Sequence, residues 1–330
     1  MRTTVLLLLL LAAPRLSFSQ ITIDATRLSD GPVLAGGPAS WSSTGLFNPA
    51  AIEYQGKTVL LFRATDAKMI SRVGYASSTD GLHFTVRPEP VLSATTPYEL
   101  GGGVEDPRLV HINGTYYLTY TGYNGKDAQL CLATSTDLIH WKRVGVILPA
   151  YKGTWNTKWT KSGAILPQKI KGRWWMYYLG TRTDSDGKER DYMGVASSAD
   201  LEHWTDASAA PVMPRREGAF DSRVMEPGPA PMLTSAGILL LYNGANDALV
   251  YGPGWALFDR EDPTRLIGRA DRPFMLPEKE WEKKGVVPNV IFLEGLVVGG
   301  KSSTGVEATG YYGAADHVVG AVRLKITVSK

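Results

Sequence analysis

Ile112-Asn113-Gly114-Thr115-Tyr116-Tyr117-Leu118-Thr119-Tyr120 is a turn followed by a run of strand-forming residues, and the chain repeats it. Asn-Gly suits a tight hairpin that needs positive φ, and the aromatic and β-branched residues after it fit a pleated surface. The same shape stands at Tyr54-Gln55-Gly56-Lys57-Thr58-Val59-Leu60-Leu61-Phe62, at Ile170-Lys171-Gly172-Arg173-Trp174-Trp175-Met176-Tyr177-Tyr178 and at Ser235-Ala236-Gly237-Ile238-Leu239-Leu240-Leu241-Tyr242. A degenerate fifth copy is expected at Glu294-Gly295-Leu296-Val297-Val298, which would put turn glycines at 56, 114, 172, 237 and 295. A second series keeps the same beat, with Asp80, Asp137 and Asp200 each followed by an aromatic, at Phe84, Trp141 and Trp204. A unit of roughly 60 residues with several short strands and no helical periodicity is what propeller blades require. One four-stranded blade cannot bury both faces, so blades stack around an axis. The expected fold is all-β: a five-bladed β-propeller formed by residues 20–330 as one domain. The segment 20–41 should add a strand that closes the ring and leaves no open edge.

The Asp turns and the neighbouring His83, His140 and His203 are assigned to architecture. Spaced one per blade, they cannot converge on a metal, so no metal and no cofactor is expected. Cys131 is the only cysteine and sits in the strand-like Gln129-Leu130-Cys131-Leu132-Ala133. That excludes an intrachain disulfide and a thiolate cluster, and favours an inert buried thiol.

The first nineteen residues are set apart from the repeats. Arg2 precedes the apolar run Val5 to Ala13, and Ser17-Phe18-Ser19 offers small residues where a signal peptidase reads. This predicts a signal peptide over 1–19 and an exported protein, periplasmic or extracellular. The apolar run is too short for a bilayer span, which takes about 20 residues, and no later run is longer, so no membrane partner is expected. Removing Arg2 and Arg15 lowers the formal net charge from +3 to +1. With no clustered positive charge, nucleic acid is excluded as a partner. With 44% hydrophobic residues, the chain has enough apolar side chain to build a core without disulfides. No feature marks a subunit interface.

In a propeller the segments entering each innermost strand face the central funnel. Here those segments are Phe47-Asn48-Pro49, Glu105-Asp106-Pro107-Arg108, Trp159-Thr160-Lys161-Ser162-Gly163, Met225-Glu226-Pro227-Gly228 and Val287-Pro288-Asn289. The second is preceded by Gly101-Gly102-Gly103, and Pro107 fixes φ, which marks a shaped backbone. The expected ring is Asn48, Asp106, Lys161, Glu226 and Asn289, with two carboxylates from different blades. A glycosidase needs that stock: one proton donor and one base or nucleophile.

These segments, with Leu61-Phe62-Arg63, Tyr116 to Thr121, Pro229 to Gly244, Val287 to Phe292 and Tyr311-Tyr312-Gly313-Ala314-Ala315-Asp316, resemble glycoside hydrolase family 130 across nearly the whole chain after residue 20. That family holds β-mannoside phosphorylases and β-1,2-mannosidases. The resemblance implies a five-bladed propeller acting on a mannose-containing oligosaccharide. It makes Asp106 the general acid, relaying its proton through a sugar hydroxyl, with Asn48, Arg63 and Asp316 holding the mannose. Glu105, Arg108, Lys161, Asn243 and Asn289 complete the candidate binding set.

The chain departs from the phosphorolytic pattern. Trp159-Thr160 stands where phosphorylases carry an Arg-Asn pair before the lysine, and Tyr242-Asn243-Gly244 replaces Tyr-His-Gly. Arg223-Val224-Met225-Glu226 shows no lysine before the glycine-proline run. A carboxylate where phosphate should sit repels it, and is suited to activate water. The expectation is an inverting hydrolase with Glu226 as the first candidate base and Glu282 as the second. Two alternatives stand: a phosphorylase binding phosphate through Arg63, Lys161 and Arg223, and a glycan-binding propeller without catalysis.

Overall fold

The computed structural model describes residues 20–37, 39–151, 154–302 and 305–329; the expected signal peptide, residues 1–19, lies outside them. The fold is all-β, with one 3-10 turn at Ser40–Ser42 and one short α-helix among the described residues. Strand β1 (Gln20–Arg27) comes first, and five antiparallel units follow. Unit one is β2 (Gly45–Tyr54), β3 (Lys57–Thr65), β4 (Ser71–Ser78) and β5 (Thr85–Val86). Unit two is β6 (Gly103–Ile112), β7 (Thr115–Tyr123), β8 (Ala128–Ser135) and β9 (Lys142–Leu148). Unit three is β10 (Thr160–Ile170), β11 (Arg173–Thr183), β12 (Glu189–Ser198) and β13 (Trp204–Asp206). Unit four is β14 (Val224–Pro227), β15 (Met232–Leu233), β16 (Ile238–Ala245), β17 (Tyr251–Phe258) and β18 (Leu266–Arg269). The helix α1 (Glu280–Lys283) precedes unit five, which is β19 (Ile291–Ser302), β20 (Gly305–Ala314) and β21 (Val318–Ser329). Strand β1 completes unit five by pairing with β21 along its whole length, from Gln20↔Ser329 to Arg27↔Val322.

The first strands lie side by side: β6 contacts β2 and β10, β14 contacts β10, and β19 contacts β2. The core lies between units. Leu130, Ile165, Met176, Tyr177, Val195, Leu240 and Phe258, drawn from units two, three and four, form part of one buried cluster. Each such side chain contributes about 1.5–3 kcal/mol by leaving water. The Asp turns are architectural: Asp80 accepts hydrogen bonds from the Leu82 and His83 amides at 2.9 Å, and Asp137 and Asp200 repeat the arrangement. Cys131 is buried, and burial pushes its thiol up to about 12, which leaves it inert at neutral pH.

The fifth copy of the repeat is displaced from its expected place. Gly295 is not a turn residue; it lies within β19 opposite Tyr311, beside a bulge after Leu293. A Cβ there would stand 2.7 Å from Pro49 O and from Ala51 Cβ, so the glycine permits β19 to approach β2. In unit five Leu293 lies opposite Tyr312 as Pro49 lies opposite Phe62 and Pro227 opposite Tyr242, so the inward place belongs to Phe292 rather than to Asn289.

Counting β14 and β15, which both pair with β16, as one interrupted first strand, a buried aromatic recurs on the second strand of every unit, at Phe62, Tyr120, Tyr178, Tyr242 and Tyr312. Tyr120 donates to Glu99 at 2.8 Å, Tyr242 to Asp221 at 2.7 Å, Tyr178 to Asp206, and Tyr312 to Glu282 at 2.9 Å. Arginines neutralise three of these acids: Arg143 on Glu99, Arg216 on Asp221 and Arg27 on Glu282. This corrects the reading of Glu282 as a candidate base. Its side chain is fully buried, held by Arg27 at 2.7 Å and by the Glu278 and Lys279 amides at 2.7 and 2.8 Å. No lone pair remains for water in the funnel.

Candidate active site

The carboxylates converge because the inner strands are bulged at matching places. Register slips between Phe47 and Pro49 in β2, between Glu105 and Arg108 in β6, and between Lys161 and Ala164 in β10. At each slip one non-glycine residue has positive φ: Asn48 (47°), Asp106 (49°) and Ser162 (60°). That conformation costs about 1–2 kcal/mol for an ordinary L-residue, less for Asn and Asp, and it turns the side chain toward the axis. The residues that follow explain the slip: Pro49 and Pro107 have no N–H to offer a ladder. Gly313 makes room for the result, since a Cβ there would stand 2.0 Å from Asn48 Oδ1.

The side chains enclose a cavity of about 170 Å³ lined by Asn48, Arg63, Asp106, Lys161, Glu226 and Asp316, with Tyr251, Val287, Val290 and Phe292 completing the wall. At about 30 Å³ each it would hold roughly six waters. A larger groove of about 490 Å³ runs along β19 to β21, but its charged lining is Glu307 and Lys325 alone. Convergent polar groups, not size, locate the chemistry.

Asp106 accepts from Asn48 Nδ2 at 2.9 Å and from Arg63 Nη1 at 3.2 Å. Burial pushes its carboxyl up, but Arg63, Lys161 and the Asn48 hydrogen bond outweigh that and hold it below the usual range. Glu105 stands behind Arg63 rather than in the cavity wall: it takes Arg63 Nη2 at 2.7 Å and Ser71 Oγ at 3.2 Å. Glu226 behaves oppositely. Burial, with Arg108 opposing and Asp106 adding, pushes it up to about 7, and Ser162 donates to its Oε1. Burial likewise raises Asp316, in the β20–β21 turn, to about 6, against the pull of Arg63.

Arg108 lies beneath the cavity. Its Nε and Nη2 donate to Pro227 O at 3.1 and 2.7 Å, and its Nη1 meets Glu294 at 2.7 Å. Asn243 is not in the wall: its amide bridges the Leu293 backbone, donating to the carbonyl at 2.9 Å and accepting the N–H at 2.8 Å. Asn289 is outside it too, receiving the Tyr251 amide on its carbonyl at 3.0 Å. Glu294, Ser162 and Tyr251 were not singled out from sequence. Glu294 carried no signal in the chain, since Gly295 beside it reads as a turn glycine. Among the described residues no cluster of His, Cys, Asp and Glu could hold a metal ion.

The bulged inner strands and this carboxylate-lined funnel define a carbohydrate-active enzyme. The chain belongs to glycoside hydrolase family 130, whose profile, described as β-1,4-mannooligosaccharide phosphorylase, matches residues 27–328. A 1,2-β-oligomannan phosphorylase of Thermoanaerobacter sp. (strain X514) is 38% identical, covering 92% of this chain and 98% of that relative. A crystal structure of a glycosyl hydrolase from Bacteroides ovatus superposes with a TM-score of 0.80 at 33% identity, over 94% of this chain and 95% of the other. A further solved structure was reported with the finding that GH130 mannoside phosphorylases include glycoside hydrolases targeting β-1,2 mannosidic linkages in Candida mannan. It is 33% identical, with a TM-score of 0.79 over 94% of this chain and 95% of that one.

Proposed function

We propose that this protein is an exported, inverting β-mannosidase acting on β-1,2-linked mannose, built as a closed five-bladed propeller with β1 fastening unit five. The observation that carries the reading is Glu226, a buried carboxyl in the same cavity wall as Asp106 and on a different unit. In this reading Asn48, Arg63 and Asp316 hold the mannose. Asp106 passes its proton through a sugar hydroxyl to the departing glycosidic oxygen. Glu226 takes a proton from the water that attacks the anomeric carbon as the C–O bond breaks. The two carboxyls then work as a pair that carries one proton between them. In the ionised form that takes a proton from water, Glu226 also disfavours inorganic phosphate, because like charges repel in a buried site.

A phosphorolytic reading is supported by the 38%-identical oligomannan phosphorylase and by Arg63 and Lys161 in the wall. One incubation separates the readings: purified protein with β-1,2-mannobiose, with and without inorganic phosphate. Mannose formed at equal rates in both, first appearing as the α-anomer by proton NMR, is the expected result. Mannose 1-phosphate that depends on added phosphate overturns hydrolysis, and unchanged disaccharide overturns catalysis on this substrate. Mass spectrometry of the protein recovered from a secreting host tests export, which requires an N-terminus near Gln20.

A further inference from the structure

Glu294 is the buried group that the reaction above leaves unused. It is 2% exposed, and its side chain meets no solvent. It is the extra residue of a bulge in β19, between Leu293 and Gly295, and lies outside the cavity wall beside Arg108. Neither of its carboxylate oxygens receives a well-aligned hydrogen bond, and the Arg108 guanidinium at 2.7 Å is its nearest compensation. The same guanidinium stands 3.6 Å from Glu226 Oε1. Arg108 cannot turn wholly to Glu226, because Pro227 O and Asp106 O fix its other donors.

We infer that Glu294 is a positioning residue that controls the proton on Glu226 by competing with it for the Arg108 guanidinium. The inference rests on the reading of Glu226 as half of a proton-sharing pair. A guanidinium beside Glu226 alone would hold it ionised, as Arg63 holds Asp106. Burial pushes the Glu294 carboxyl well up too, against the pull of Arg108, so one guanidinium is divided between two buried acids and Glu226 keeps its proton near neutrality. The charged and titratable groups around Glu226 are Arg108 and Asp106 on β6, Lys161 on β10, Tyr251 on β17 and Glu294 on β19. Around Glu294 they are Arg108, Asp106 and Glu226, with Arg63 on β3. Among the described residues, only Arg108 pairs with both glutamates.

A pair that works with one shared proton loses activity when that proton leaves, so kcat/KM should fall above about pH 7 as Glu226 ionises. Glu294→Gln keeps the shape and removes the competing acid. Arg108 then acts on Glu226 alone, and the alkaline limb of kcat/KM for β-1,2-mannobiose should move about one pH unit lower, a roughly tenfold change in the proton equilibrium. A merely structural Glu294 would lower the melting temperature and leave the limb in place, which overturns the inference. Glu294→Asp, measured in parallel, should move the limb the same way by less; if the glutamine variant fails to fold, an unmoved limb in the aspartate variant overturns the inference. Glu226→Gln separates the two ideas. If it retains full turnover, the reading of Glu226 is wrong; if it is inactive and the Glu294 variants leave the limb unmoved, only the present inference fails.

Discussion

At the scale of single residues, the pocket assigns opposite electrostatics to two similar side chains. Asp106 is flanked by Asn48 and Arg63, while Glu226 shares its nearest guanidinium with Glu294. The consequence for stability has a definite sign. Glu226 titrates near 4.5 in an unfolded chain and at about 7 in the pocket. Below pH 4.5 both states carry the proton; above about 7 both have lost it, and the folded state holds a buried charge. Stability from this group is therefore present in acid and lost as pH rises from about 4.5 to 7, by about 3 kcal/mol on the scale of 1.4 kcal/mol per unit. Glu226→Gln should be up to about 3 kcal/mol more stable than the parent at pH 8 and no more stable at pH 4, in paired urea titrations. Its turnover should fall by about 10² or more. Equal stability at pH 8 would mean that Glu226 is solvated and not held as described. Asp106 and Glu226 were both legible in the chain because each stands beside a proline at a strand entry. Glu294 was not, because its neighbour Gly295 looks like a turn residue until β2 is seen pressing against it.

At the scale of elements, the second strand of each unit carries an aromatic toward its neighbour, and buried acids are placed to meet it. Glu282 belongs to this set with Glu99 and Asp221, although it is delivered by a one-turn helix and the other two by loops. Removing one member of a buried ion pair leaves an uncompensated charge and costs about 3–5 kcal/mol. Glu282→Ala should lower unfolding free energy by about that amount in urea, because Arg27 and Tyr312 lose their partner. At a temperature where the variant is folded, its kcat on β-1,2-mannobiose should equal the parent's; a hundredfold loss would restore Glu282 as a base. The alternating signs of Glu278 to Lys284 suggest a solvated face, and most of the run is one. Period and charge pattern cannot show that one acid of the run turns inward, since its partners Arg27 and Tyr312 are remote in the chain.

At the scale of the molecule, the last unit depends on the first strand. Strand β1 covers the outer edge of β21 through eight paired residues, and its final residue, Arg27, carries the ion pair to Glu282. Deleting residues 20–27 would leave β21 as an exposed edge of twelve residues and orphan Glu282 at once. The truncated protein should melt at least 10 °C lower by circular dichroism and elute from size exclusion as concentration-dependent aggregates, on the order expected when several kcal/mol are lost. A monomeric product with the parent's melting temperature would show that β1 is dispensable. Arg27→Ala, which keeps the strand and removes only the ion pair, distinguishes pairing from charge.

The amino-acid sequence by itself determined the all-β class, the repeating turn-and-strand unit and the inert cysteine. These are local or periodic properties: turn glycines, alternating apolar residues and Asp-closed turns act within a few residues and recur. Tertiary structure decided which acids share a guanidinium, which acid meets a tyrosine, and where unit five begins. Those outcomes depend on contacts between residues 21 to 255 positions apart, from Tyr120 with Glu99 to Glu282 with Arg27. Burial and the charges set beside it then convert chemically similar carboxyls into an ionised Asp106, a proton-holding Glu226 and a structural Glu282. No property of the side chain alone separates them; the dielectric and the neighbouring charge do.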